Sequence, residues 1–255
     1  MTPDPKDTDP DDASREGTGR DIPLPDARPP RAFFGRRKGH PLRRHHGDLV
    51  ATLLPRLALD LAAPPPVPLA ALFATPVARV RMEIGFGGGE HLVAQAAAEP
   101  DAGFIGCEPF VNGMAQALAL IETTALGNIR LHHGDATEVL AWLPDAALTR
   151  LDLLYPDPWP KRRHWKRRFV QDDSVAALAR VLADGGEFRF ATDWSDYASW
   201  TLERLLRSPD FAWTAERADD WRQPWAGWTR TRYEAKAVRE GRTPCYLVFR
   251  RVARG

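Results

Sequence analysis

Residues 80–90 read Val80-Arg-Met-Glu-Ile-Gly-Phe-Gly-Gly-Gly-Glu90, and this stretch sets the architecture of the chain. Residues 80–85 read as a β-strand, followed by a turn in which Gly85, Gly87 and Gly89 form a G-x-G-x-G pattern, with a helix over 88–98 beyond it. Such a turn can take positive φ and lets backbone approach a ligand closely at a helix N-terminus. The dinucleotide fingerprint G-x-G-x-x-G is not met, because Glu90 stands where its last glycine belongs. That disfavours an NAD enzyme.

Downstream, apolar runs and helical patterns alternate. Strands are expected over 104–108, 129–132, 151–155, 187–192, 211–215 and 245–251. Helices are expected over 110–126, with Gly127 as its C-terminal cap, 137–143, 169–182, closing at Asp184-Gly185-Gly186, and 194–206. This order predicts an α/β fold with a doubly wound, mainly parallel sheet, whose ligands bind at the carboxyl ends of the strands. Upstream, 49–63 reads as a short amphipathic helix and 64–76 as a stiff proline-rich linker. Residues 31–48 form a basic arm, and 1–30, rich in Asp, Pro, Gly and Thr, are expected to be disordered. The division is therefore a 1–30 tail, a 31–78 arm, helix and linker, and a 79–255 α/β domain.

At 255 residues and 44% hydrophobic content the chain has ample material for one large core. The net charge of +1 averages unlike regions. Residues 1–30 hold eight acids and four bases, which leaves 31 Lys+Arg against 26 Asp+Glu elsewhere. The cations cluster at 31–44 and 161–168, the footprint of a nucleic-acid partner. Two cysteines, Cys107 and Cys245, make neither a disulfide framework nor a zinc knuckle. There is no basic-then-apolar signal segment, and five prolines within the uncharged stretch 61–78 exclude a membrane helix there. A soluble cytoplasmic protein is expected, with no membrane partner.

Three strand ends carry ligand-type features. Beside the glycine turn, Glu108 ends the second strand, where an acid can accept both hydroxyls of a ribose. Asp135 follows the third strand, where a carboxylate can accept from an adenine amino group. Glu83, just before the turn, suits the charged end of a ligand. Together they resemble the S-adenosylmethionine site of class I methyltransferases. At the fourth strand's end, Tyr155-Pro-Asp-Pro-Trp159 holds Asp157 and Trp159 on a stiff loop, followed by six cations between Lys161 and Arg168. An acid beside an indole and dense positive charge suggest a pocket for a flat base next to a phosphate track.

Tyr155-Pro-Asp-Pro-Trp-Pro-Lys161 with its basic run, Ala191-Thr-Asp-Trp194 and Thr231-Arg-Tyr-Glu234 resemble the signatures of bacterial tRNA (guanine-N7-)-methyltransferases, and the likeness runs from about Val80 to Arg250. The resemblance implies the seven-stranded, Rossmann-like class I fold. It also implies methyl transfer from S-adenosyl-L-methionine to N7 of a guanine (guanine 46) in the tRNA variable loop. By the same resemblance Asp157 is catalytic, and Glu83, Gly85, Gly87, Glu108, Asp135 and Asp157 contact the cofactor. Lys161, Asp193, Thr231, Arg232, Tyr233 and Glu234 then contact the tRNA, and no metal is involved. One departure is Lys236-Ala237 in place of the family's Arg-Gly, which keeps the charge without the planar fork of arginine.

Guanine N7 has a lone pair and no proton, so its attack on a sulfonium methyl needs no general base. Asp157 then grips the base edge or poises the donor. Two other readings stay open. An amino-directed nucleic-acid methyltransferase is suggested by the likeness of Pro-Asp-Pro-Trp to a D/N-P-P-Y/F/W loop, and a non-enzymatic RNA-binding module by the basic segments. His132 and His133 lack a third ligand at metal spacing, and Ser174 and Ser195 lack a nucleophile elbow. The chain could be a monomer or a homodimer.

Overall fold

The computed structural model describes Gly35 and residues 39–255. The 1–30 tail and most of the 31–38 stretch of the basic arm lie outside the described residues. In chain order the elements are α1 (Arg44–Thr52), α2 (Leu54–Leu57), β1 (Arg79–Ile84), α3 (Glu90–Ala98), β2 (Ala102–Cys107), α4 (Val111–Thr124), β3 (Ile129–His132), α5 (Ala136–Trp142) and β4 (Leu148–Leu154). Then come α6 (Asp172–Val181), β5 (Leu182–Thr192), α7 (Ser195–Arg207), β6 (Phe211–Trp213), α8 (Asp219–Arg222), α9 (Arg232–Arg239) and β7 (Cys245–Arg251).

The strands form one seven-stranded sheet in the order β3-β2-β1-β4-β5-β7-β6. β1 to β5 pair in parallel, and β7 runs antiparallel to both β5 and β6. The expected doubly wound, mainly parallel α/β sheet is present. Strand periodicity places its two faces against different cores. In β1, Val80, Met82 and Ile84 enter an apolar cluster with Val139, Val175, Leu178, Phe188 and Phe190. The opposite parity, Arg81 and Glu83, meets Glu99 and His91 at the two ends of α3. A second cluster joins Leu92 of α3 and Leu118 of α4 to Phe104, and includes Leu49 and Leu57 of the first two helices.

Three local expectations change. The 49–63 helix is instead α1 and α2, broken at Leu53, because Pro55 has no N–H to continue the ladder. Past Leu57 the chain runs extended, and Leu59 N donates to Leu131 O at 2.9 Å. Ala125, not Gly127, takes the left-handed position after α4 (φ 51°), while Gly127 packs against Thr75. Asp184-Gly185-Gly186 does not close a helix but lies inside β5. Leu148 pairs with Leu182 and Arg150 with Glu187, so the extra residues loop out as a bulge. A helix for which the sequence reading made no assignment, Arg232–Arg239, is also present: Thr231 Oγ1 accepts from Glu234 N at 3.1 Å and starts α9.

The carboxyl ends of β1, β2, β4 and β5 therefore open onto one edge of the sheet. The segments that follow them build the site.

Candidate active site

The turn after β1 has Gly85, Gly87 and Gly89 all at positive φ (70°, 60° and 82°). Glu108, at the end of β2, holds this turn with both carboxylate oxygens. Gly87 N donates to Oε2 at 2.7 Å and Phe110 N donates to Oε1 at 2.8 Å. Burial pushes the Glu108 carboxyl up to about 7, against the opposing pull of these N–H groups and of Arg232. The charge of Asp157 raises it further, which places Asp157 within electrostatic reach of the turn. Gly113, in the first turn of α4, presses on the same place: a Cβ there would lie 2.4 Å from the Gly87 carbonyl oxygen. Gly85, by contrast, has no heavy atom within 4 Å of its Cβ position, so the turn has one open side.

Glu83 is 4% exposed and faces inward. Its Oε2 lies 2.8 Å from His91 Nδ1, and the imidazole packs at 5.3 Å from the Trp228 ring. Burial lowers the His91 pKa, but the charge of Glu83 and this hydrogen bond outweigh it and leave the imidazole raised. Asp135 is the N-cap of α5, its Oδ1 accepting from Thr137 N at 2.9 Å.

Past β4, Tyr155 and Trp159 both stand in the left-handed region, at φ 50° and 44°. For aromatic residues this costs about 1–3 kcal/mol each, and it persists only where the surroundings fix it. Here Tyr155 N donates to Ala191 O at 2.7 Å, and the Arg167 guanidinium lies 5.0 Å over the Trp159 ring. Asp157, between the two prolines, opens to solvent, yet the protein crowded around its carboxyl raises its pKa through desolvation.

The basic run after it divides. Lys161, at the N-cap of a short 3-10 helix (Arg162–Arg167), and Arg162, Arg163 and Lys166 on it are exposed. Arg168 is 1% exposed. The expectation that the whole basic run forms a phosphate track is thus corrected for Arg168, which is enclosed by protein.

Of the other candidates, Asp193 pairs with Arg242 Nε at 2.5 Å. Glu234 is 4% exposed and fully engaged, accepting from Tyr246 Oη at 2.9 Å and Trp228 Nε1 at 2.6 Å. Burial raises the Tyr155 phenol, with Tyr246, Glu234 and Asp193 adding to the shift, so these groups gather beneath the Asp157 loop. Arg232 reaches over the glycine turn, donating to Gln116 Oε1 at 2.6 Å, and the half-exposed Tyr233 ring leans on Gly87. Gly87, Glu108, Arg232 and Tyr233 thus meet at the glycine turn, with Asp157 within electrostatic reach of Glu108. Glu83, Asp135 and Glu234 each hydrogen-bond to protein partners. Gly113 and His91 escaped the sequence reading, although a glycine inside a helical pattern is a signal of close approach. Among the described residues, no three His, Cys, Asp or Glu side chains come together as a metal site, and no helix is long and apolar enough to cross a membrane.

The model of a family described as a putative methyltransferase matches residues 78–247. A tRNA (guanine-N(7)-)-methyltransferase of Rhodopseudomonas palustris (strain BisB18) is 67% identical over 227 residues, 89% of this chain and 90% of that protein. One from strain BisA53 is 61% identical over 253 residues, spanning 99% of this chain and 100% of its own length. The chain belongs to the tRNA (guanine-N7-)-methyltransferase family. Solved structures bear on the fold of this family member alone. TrmN from Thermus thermophilus superposes with a TM-score of 0.50 at 15% identity, covering 73% of this chain and 48% of that one. The 16S rRNA methyltransferase KamB gives 0.50 at 13% identity, over 69% of this chain and 89% of its own. The shared sheet is the class I methyltransferase type.

Proposed function

We propose that this chain transfers a methyl group from S-adenosylmethionine to N7 of guanine 46 in the variable loop of tRNA, in the cytoplasm. This reading is supported by the grip of Glu108 on the Gly85–Gly89 turn, by Asp157 within electrostatic reach of Glu108, and by exposed cations beginning four residues beyond Asp157. The residues fit the cofactor: the turn has an open side at Gly85, and a buried carboxylate stands at the end of β2 for a ribose diol. When bound, the cofactor supplies an electrophilic methyl on sulfonium sulfur. Glu108 would accept from the ribose hydroxyls, Asp135, through the oxygen that does not cap α5, from the adenine amino group, and Glu83, held by His91, would stand toward the methionine end.

Guanine N7 brings its own lone pair, so no protein group has to remove a proton. Asp157 accepts from the N1–H and amino edge of the base, which turns N7 toward the methyl. Alignment of this kind supplies about 7–11 kcal/mol of a barrier in well-oriented systems. Lys161 and the exposed arginines hold phosphates, which position the tRNA without reading its sequence. Asp193, Arg232 and Tyr233 form the rim on which the variable loop rests, and the buried Thr231 and Glu234 hold that segment in place from within.

Incubation with methyl-labelled cofactor and unmodified tRNA, followed by digestion to nucleosides, should yield labelled 7-methylguanosine, and a transcript with guanine 46 replaced should yield none. A folded, cofactor-bound sample that leaves tRNA unlabelled overturns the assignment; label retained on the altered transcript overturns only the position.

Glu108 gives a pH dependence. A ribose diol donates best to an ionised carboxylate, and this group ionises only near pH 7. Cofactor affinity should therefore rise as the pH climbs from about 6 to about 8, with a proton released on binding at the acidic end. Calorimetry in buffers of different ionisation enthalpy measures both, and an affinity that stays flat over this window removes Glu108 from the cofactor contacts.

A further inference from the structure

Arg168 ends the basic run, yet nothing about its surroundings suits an RNA contact. Its side chain is 1% exposed, with the guanidinium carbon 4.9 Å from the Trp165 ring, 4.9 Å from Tyr197 and 5.0 Å from Trp200. A cation enclosed by three aromatic faces is held by their quadrupoles in a desolvated box. From that box Nε donates to the carbonyl oxygen of Pro158 at 2.9 Å, and Nη2 donates to Asp196 in the first turn of α7. Pro158 directly follows Asp157, between the two left-handed residues Tyr155 and Trp159. The strained loop is therefore tied through one planar guanidinium to α7 and to the aromatic residues behind it. Lysine cannot reproduce this, since its point-like ammonium lacks the fixed fork that serves a carbonyl and a carboxylate together.

We propose that Arg168 is a positioning residue for methyl transfer: it sets the place of Asp157 by gripping the backbone of the next residue, and it makes no contact with tRNA. The basic run then has two jobs. Its exposed members, Lys161 to Lys166, face the phosphates, and its last member holds the base-binding loop. This inference rests on the reading of Asp157 as the acid that orients the guanine.

The test separates the two jobs by kinetics. Arg168→Ala should lower kcat about 100-fold, the scale of a misplaced catalytic group, while KM for tRNA and its salt dependence stay at the wild-type values. Guanidinium ion at millimolar concentration should enter the vacated aromatic box and restore part of kcat, saturably, with a matching change in tryptophan fluorescence that the wild-type protein does not show. Lys161→Ala combined with Arg162→Ala should do the reverse, raising KM and flattening the plot of log affinity against log salt by about 0.7–0.9 per lost contact. Should Arg168→Ala fail to fold, Arg168→Lys carries the same comparison, with a lowered kcat and an unmoved salt slope. An Arg168 variant that keeps kcat but loses tRNA affinity and salt slope overturns the proposal, and so does one with wild-type values throughout. Wild-type protein that does not methylate tRNA at all defeats the functional reading instead. In that case the guanidinium-dependent fluorescence of Arg168→Ala still decides whether the box exists.

Discussion

Asp157→Asn should lower the single-turnover rate of methyl transfer about 100- to 1000-fold, the usual cost of removing one preorganised group that acts on the reacting centre. Asn keeps the volume and one acceptor but loses the charge and offers an N–H where the guanine presents its own donors. The loop should survive the change, because its shape comes from Pro156 and Pro158, the bond from Tyr155 N to Ala191 O, and the grip of Arg168 on Pro158 O. Thermal unfolding should therefore move little. Quench-flow measurement with saturating tRNA checks the rate directly. Transfer within a few-fold of wild type would show that N7 is aligned by something else, and the base-gripping role of Asp157 would have to be abandoned.

Gly113→Ala should have the other large effect, on affinity and stability together. A methyl group there would sit 2.4 Å from the Gly87 carbonyl oxygen and 3.0 Å from its carbon. Both are backbone atoms, so no rotamer change relieves the clash. Either α4 moves away from the sheet or the turn shifts off Glu108, breaking the 2.7 Å bond from Gly87 N. Overpacking of this sort costs about 1–3 kcal/mol, more than the roughly 1 kcal/mol that alanine returns in a helix interior. The protein should melt several degrees lower and bind cofactor at least about tenfold more weakly, since the displaced turn no longer matches its ligand. Calorimetric titration together with a melting curve would test it, and unchanged values in both would mean that the turn yields freely.

Much of this was legible in the sequence because topology dictates it. Once β1 and the glycine turn are recognised, parallel alternation brings the ends of β2, β3 and β4 to the same edge, and Glu108, Asp135 and Asp157 come with them. Burial within a charge run is not legible in that way. Arg167 and Arg168 are adjacent and chemically identical in the sequence, yet one stacks on Trp159 and the other is enclosed by Trp165, Tyr197 and Trp200. Two of those rings come from a helix some thirty residues away, which no local pattern announces. α9 is hidden for a different reason. It buries only Glu234 and Ala237, so there is no apolar stripe to detect, and its one local sign is the Thr231-x-x-Glu234 spacing of a capped helix. The split between α1 and α2, and the bulge at Gly185, likewise follow from Pro55 and from strand pairing rather than from hydrophobic periodicity.

The reversed direction of β7 offers an opportunity for spectroscopy. A strand that runs against its neighbours presents its first residue, not its last, at their carboxyl ends, and here that residue is Cys245, paired with Thr192 beside Asp193. The second thiol, Cys107, is 1% exposed, whereas Cys245 is only half-buried. Burial raises the Cys245 thiol as well, so alkylation will be slow at neutral pH and faster in alkali. A maleimide dye should accordingly attach at a single described position, giving a reporter fixed to the rigid sheet beside Asp193 on the proposed tRNA-binding rim.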